Sequence, residues 1–221
     1  MTRGGATPAR RQFAGRVLSR LKRRHEIKDL SPSERPDPYH TLIACVLSLR
    51  TKDEVTDAAA GRLLARAGDP RAMLRLAPQA IEKLIFPVGF YRRKARQVLE
   101  ISRLLIERHG GATPDEIDAL LELPGVGRKT ANLVVTVAFG KPGICVDTHV
   151  HRISNRLGWV RTRDPEETER ELRGFLPSRW WLIVNEILVR HGQRICRPIS
   201  PLCSTCPVEA DCPKTGVARR R

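Results

Sequence analysis

The sequence is 221 residues long and contains no apolar run near the roughly 20 residues that a helix needs to cross a bilayer. Its N-terminus also lacks the apolar core of a secretory signal. No membrane partner is expected, and the chain should work in the cytoplasm. No stretch alternates apolar and polar residues with the period of two that marks a half-buried strand, so an all-α fold is expected. Acid is in short supply as well: 24 Asp and Glu face 40 Lys and Arg, for a formal net charge of +16. Solubility needs far less, so the excess points to a polyanionic partner, with nucleic acid leading. The basic residues are interleaved with acids on helical patterns, which argues against a simple basic tail. From Met1 to His25, however, there are seven Arg and no acid, a composition shared with organelle transit peptides. There Phe13, Val17, Leu18 and Leu21 recur on one face, so a helix is expected from about Gln12, with only the first ten residues disordered.

Lysine is also scarce, at 8 of the 40 basic residues, and one of the few stands at the centre of the most distinctive stretch. Leu123-Pro124-Gly125-Val126-Gly127 reads as a tight turn whose glycines let backbone N–H groups face outward. Ahead of it, Thr113-Pro114-Asp115-Glu116 has the pattern of a capping box, followed by an apolar stripe at Ile117, Leu120 and Leu121. After it, Ala131, Val134, Val135 and Ala138 recur at helical spacing from Arg128 to Phe139, and Gly140 stops the helix. Helix, glycine turn and helix can cradle a phosphate oxygen. A helical hairpin with a glycine hinge would read the same way. Lys129, beside Arg128 at the start of the second helix, is in positive potential, which favours a neutral and nucleophilic amine. Arg could not replace it in a Schiff base, whereas a plain cation facing phosphate could be either residue.

Further along, Val146, Val150, Ile153 and Leu157 mark a helix ended by Gly158, which puts Asp147 at an N-cap position. His149 and His151 follow and are read as orienting or nucleic-acid-facing groups. Cys196, Cys203, Cys206 and Cys212 are spaced C-x6-C-x2-C-x5-C in a Pro-rich segment, a metal-site signal in a chain where disulfides are improbable. Zinc commonly takes two C-x2-C pairs, and only one is present. Cys45, within an apolar helix from Tyr39 to Leu49, is read as a small core residue.

The run LPGVGRKTAN, the VDTH that begins at Val146 and the four cysteines together resemble endonuclease III, a family of DNA glycosylases and AP lyases in the helix-hairpin-helix superfamily. The resemblance covers almost the whole chain, with three independent motifs in the family's order. It implies a six-helix domain over residues 31–141 and a second domain made of residues 1–30 and 142–221. DNA would lie in the cleft between them, with Lys129 and Asp147 facing each other. It also implies a [4Fe-4S] cluster on the four cysteines. The substrate would be double-stranded DNA with a damaged base, such as thymine glycol, or an abasic site, bound by a monomer associated with the nucleoid. Lys129 would be the nucleophile, and Asp147 would stabilise the sugar cation or help deprotonate the amine. Gly125, Val126, Gly127, Arg128 and His149 would contact DNA.

Two further segments gain meaning from the resemblance. Arg50, at the tip of a connection where Thr51 and Glu54 form a capping pattern, stands where the family commonly carries Gln in a loop that enters the base stack. Phe90, in Val88-Gly89-Phe90-Tyr91-Arg92-Arg93-Lys94, matches a second intercalating loop. The chain departs from the family between Cys196 and Cys203, where only Arg197 remains of several basic residues; Arg190, Arg194 and Arg219 to Arg221 could compensate. A related adenine glycosylase lacks the nucleophilic lysine and carries an extra C-terminal domain. A non-catalytic DNA-binding module would have no reason to combine Lys129, Asp147 and a wedge loop.

Overall fold

The computed structural model describes residues 7–29 and 31–221. Among them there are helices and connections but no strand. The chain divides into two compact units: residues 32–141 form one, and the N-terminal segment through Ser31 joins residues 142–221 in the other.

The 32–141 unit contains α2 (Pro38–Ser48), α3 (Asp53–Arg66), α4 (Pro70–Met73), α5 (Pro78–Ile85), α6 (Tyr91–His109), α7 (Ile117–Leu121) and α8 (Arg128–Leu133). α2, α4 and α5 open on a proline after the N-cap residue, where its missing N–H costs nothing. Asp37 and Asp69 cap α2 and α4 by accepting from the N–H groups of His40 and Ala72. The core is hydrocarbon: Leu42, Ile43, Leu63, Ile81, Ile101 and Val134 are fully buried. Inside it, the Tyr39 hydroxyl bonds to Ser102 at 2.7 Å. Cys45 lies in this core, and burial pushes its thiol up to about 12, with the charge of Lys129 acting in the opposite direction.

The other unit contains α1 (Pro8–Arg24), α9 (Thr148–Arg156), α10 (Pro165–Phe175) and α11 (Val184–Arg194). Val17, Leu18, Val150, Trp159, Leu172 and Ile187 build its core. Past α11, the regular structure is a single 3-10 turn at Cys203–Thr205.

Four local expectations are corrected. α1 starts at Pro8 rather than Gln12, because Thr7 accepts from the N–H of Arg10 and Pro8 opens the helix. Residues 8–10 are therefore helical, and the expected disorder of residues 1–6 lies outside the described residues. The capping box at Thr113 does not form. Asp115 and Glu116 turn to Lys141 at 2.9 and 2.7 Å, so α7 begins only at Ile117 and the buried Thr113 hydroxyl has no partner among the described residues. The helix from Arg128 changes to a π turn over Val134–Ala138, where the Thr136 hydroxyl donates to the carbonyls of Asn132 and Leu133 and competes with the ladder. The helix read from Ser178 to His191 is split into a 3-10 turn, Ser178–Trp180, and α11. The indole of Trp181, between the two, donates to the carbonyl of Leu176.

Candidate active site and nucleic-acid interface

In the 32–141 unit the glycine turn joins α7 to α8. Gly125 has φ of +71°, and a Cβ there would fall 1.7 Å from Nε2 of Gln97. That amide donates to the carbonyl of Pro124 at 2.6 Å and seals the turn from below. The left-handed backbone angle demands glycine, and the Gln97 amide packs into the space that a Cβ would take. Gly127 differs: its φ is −95° and nothing lies within 4 Å of a Cβ built on it. The turn itself therefore requires glycine at 125, whereas at 127 the missing Cβ leaves the approach to the backbone open. Val126 is buried, and its N–H is taken by the carbonyl of Leu123 at 3.1 Å, so it fixes the turn and offers no donor. Arg128 and Lys129 follow on the first turn of α8, both exposed.

The same unit holds the two expected wedge residues. Arg50 is exposed at φ +55°, and Phe90 is half exposed at φ +59°, in the N-cap position of α6. The Arg50 guanidinium carbon is 5.7 Å from the Phe90 ring centroid, and that of Arg93 is 5.3 Å from it. Thr51 does not cap α3: Lys52 occupies the N-cap position and makes no side-chain cap. The Thr51 hydroxyl instead accepts from the N–H of Gly89 at 3.2 Å, because the second loop lies against it. Lys94, which the sequence reading passed over, donates to the carbonyls of Leu47 and Leu49 at 2.7 and 2.5 Å and to the Thr51 hydroxyl at 3.2 Å. Burial, with Arg93 beside it, lowers its pKa to about 8.

In the other unit Asp147 caps α9. Its Oδ1 accepts from both His149 N–H and Val150 N–H at 2.9 Å, and its Oδ2 makes no hydrogen bond among the described residues. The carboxylate is thus oriented through one oxygen, with the other available. His149 packs where a Cβ on Gly192 would sit, and its Nδ1 is 3.1 Å from the Arg152 guanidinium. His151 turns to Thr168 at 2.7 Å and serves the packing of α9 on α10.

Cys196, Cys203, Cys206 and Cys212 line one pocket with Ile153, Leu157 and Val208, and none forms a disulfide. Burial raises the thiol pKa of Cys206 to about 11 and that of Cys212 upward. Such thiols stay protonated unless a metal takes their charge. Among the described residues no three Cys, His, Asp or Glu side chains converge as one ion requires. Four thiols around an apolar pocket fit a cluster, in which each thiolate takes its own iron. Arg156, also missed in the sequence, donates to Cys196 Sγ at 3.3 Å and to the carbonyls of Arg197 and Pro198 at 2.7 Å each. Its carbonyl accepts from the N–H of Thr215 at 3.2 Å. Arg156 therefore pins the cysteine segment at both ends. On α9 it is one of two arginines, with Arg152, and nothing in its spacing marks it as a buried clamp and not an exposed cation.

Comparison with known proteins places these features in a family. The profile of the HhH-GPD superfamily base excision DNA repair protein matches residues 43–178. Endonuclease III of Thermotoga maritima is 46% identical over 201 residues, covering 91% of each chain. A non-covalent endonuclease III–DNA complex superposes with a TM-score of 0.83 at 34% identity, covering 92% of this chain and 95% of the other. A trapped endonuclease III–DNA covalent intermediate gives 0.82 at 34% identity, covering 92% and 96%. The chain belongs to the HhH-GPD superfamily of base excision DNA repair proteins and, within it, to the endonuclease III family. It is a DNA glycosylase with AP lyase activity.

Proposed function

We propose that this enzyme removes oxidised pyrimidines from double-stranded DNA through Lys129. The Nζ lone pair attacks C1′ of the flipped nucleotide, and the N-glycosidic bond breaks with its electron pair leaving on the base, which takes up a proton. Ring opening gives a Schiff base between Nζ and C1′. Loss of a proton from C2′ then expels the 3′ phosphate by β-elimination and nicks the strand. Asp147 stabilises the positive charge on the sugar or takes a proton from the amine.

The observation that carries this reading is the pairing of residue types with their settings. Lys129 is exposed behind a turn whose Gly127 has open space, and Asp147 is fixed through Oδ1 with Oδ2 available. Because nothing inside the protein demands glycine at 127, close approach of a phosphate would supply the reason. The N–H groups of Gly125 and Gly127, with Arg128, would hold that phosphate, and His149 would contact the strand. An abasic site enters the same sequence at the attack on C1′.

The four cysteines are proposed to hold a [4Fe-4S] cluster that ties the C-terminal segment to the core. A monomer acting on nucleoid DNA in the cytoplasm fits the net charge of +16. Among the described residues, no helix is long and apolar enough to cross a membrane.

The decisive experiment is borohydride trapping on duplex containing thymine glycol or an abasic site. Wild type should form a covalent adduct. Lys129→Arg should keep duplex affinity and lose both adduct and nick, whereas a Lys129→Arg protein that still traps would overturn the assignment. Asp147→Asn, which retains the cap, should slow single-turnover excision by about two powers of ten or more.

A further inference from the structure

Lys94 takes no part in the chemistry above, yet its side chain is 2% exposed and all three of its donors are engaged. A buried ammonium paired only with neutral acceptors costs stability relative to an apolar residue of the same length. Its bonds do not end in the core. They end on Leu47 and Leu49, the orphan carbonyls at the close of α2, and on Thr51, so they surround Arg50. Lys94 itself lies on the first turn of α6, four residues after Phe90. The Thr51 hydroxyl also accepts from the N–H of Gly89, and a Cβ on Gly89 would come within 2.8 Å of the Arg50 carbonyl oxygen. The two tips both hold left-handed backbone that non-glycine residues avoid, at φ +55° and +59°. Such conformations persist only where the surroundings over-determine them.

We propose that Lys94 is a positioning residue that clasps the loop bearing Arg50 to the loop bearing Phe90, so that the two tips enter the duplex as one rigid wedge. The proposal rests on the reading of Arg50 and Phe90 as the residues that enter the stack. A lysine suits the position because its compact head directs three donors from one nitrogen, whereas the planar fork of arginine spreads them. The clasp lets one insertion both fill the gap left by a flipped base and hold the strand beside it. Two independently mobile loops would have to be ordered at the moment of binding, at an entropic cost.

The test compares excision of thymine glycol from a fully paired duplex with excision of the same lesion inside a three-base bubble, where unstacking is already done. A 2-aminopurine beside the lesion reports unstacking. Lys94→Met and Lys94→Arg should slow excision from the paired duplex by about tenfold and reduce the 2-aminopurine signal, with less than threefold change on the bubble. Gly89→Ala pushes the loops apart without touching Lys94 and should give the same pattern, which covers the case of a Lys94 variant that does not fold. Equal losses on both substrates would make Lys94 a general structural residue and overturn the proposal. So would a paired-duplex rate unchanged in both the Lys94 and Gly89 variants. Arg50→Ala and Phe90→Ala serve as controls: if neither slows the paired duplex, the wedge reading itself falls, and the clasp with it. If they slow it while the Lys94 and Gly89 variants do not, only the clasp is wrong.

Discussion

The two units solve the problem of staying folded in different ways. Residues 32–141 enclose a mainly hydrocarbon core from α2 to α8, in which buried polar groups such as Ser102 and Lys94 are hydrogen-bonded, and carry left-handed non-glycine backbone at two surface tips, Arg50 and Phe90. The other unit has a comparable core around Trp159 and Leu188, but in its last 25 residues, 197–221, only Pro201 and Val208 are buried. That segment is held by Arg156, by a few backbone bonds such as Leu202 N–H to the Ile195 carbonyl at 3.0 Å, and by whatever the four thiols bind. One unit is stable through burial, and the other would be completed by the proposed cluster. Burial tolerates exchange of surface side chains, whereas ligation depends on four particular atoms.

The largest difference should follow loss of metal. Purified protein is expected to be brown, with about four irons per chain. Cys206→Ser, or removal of the iron, should release residues 196–221 to rapid amide exchange and leave residues 32–141 protected. Colourless protein holding one zinc per chain would replace the cluster by a single ion, and uniform exchange across both units would erase the contrast. Next in size is a core truncation. Ile101→Ala, at a fully buried site on α6, should destabilise the 32–141 unit by about 2–5 kcal/mol while the visible spectrum of the cluster persists. If both units melt together as before, they form one cooperative unit and the comparison is wrong.

A smaller effect distinguishes the two units by pH. The pKa of Lys94 is lowered to about 8 by burial, so between that value and 10.5 the unfolded chain binds more protons than the folded one. Stability contributed by this group should therefore rise as pH increases through that window, on the order of 1 kcal/mol by pH 9. Urea midpoints at pH 7.5 and 9 should show the rise in wild type and not in Lys94→Met. An identical rise in both would assign it elsewhere. The smallest expected change is in Arg50→Ala, which removes an exposed tip and should alter the unfolding midpoint by less than about 0.5 kcal/mol, whatever it does to excision. A larger shift would make the tip part of the scaffold.

Much of this was legible in the sequence because it was local. Pro and Asp at helix starts, glycine at Gly110 and Gly140, and apolar spacing gave the elements to within a few residues, since caps and periodicity act over one or two turns. The misplaced elements failed where a distant partner won. Asp115 and Glu116 followed Lys141 instead of capping α7, and Thr51 accepted the Gly89 N–H instead of capping α3.

By itself the sequence determined the all-α class, the polyanionic partner, the glycine turn before Lys129, the cap at Asp147 and the four-thiol segment. Each of these depends on residue type and short-range spacing. Only the tertiary structure decided what Lys94 and Arg156 do, because a basic residue reads the same in a helix pattern whether it faces solvent or a buried row of carbonyls. It also separated Gly125, whose φ of +71° demands glycine, from Gly127, which the protein itself leaves unconstrained. The acceptors of the Lys94 and Arg156 side chains lie up to 47 positions away along the chain and are brought beside them only when the core closes.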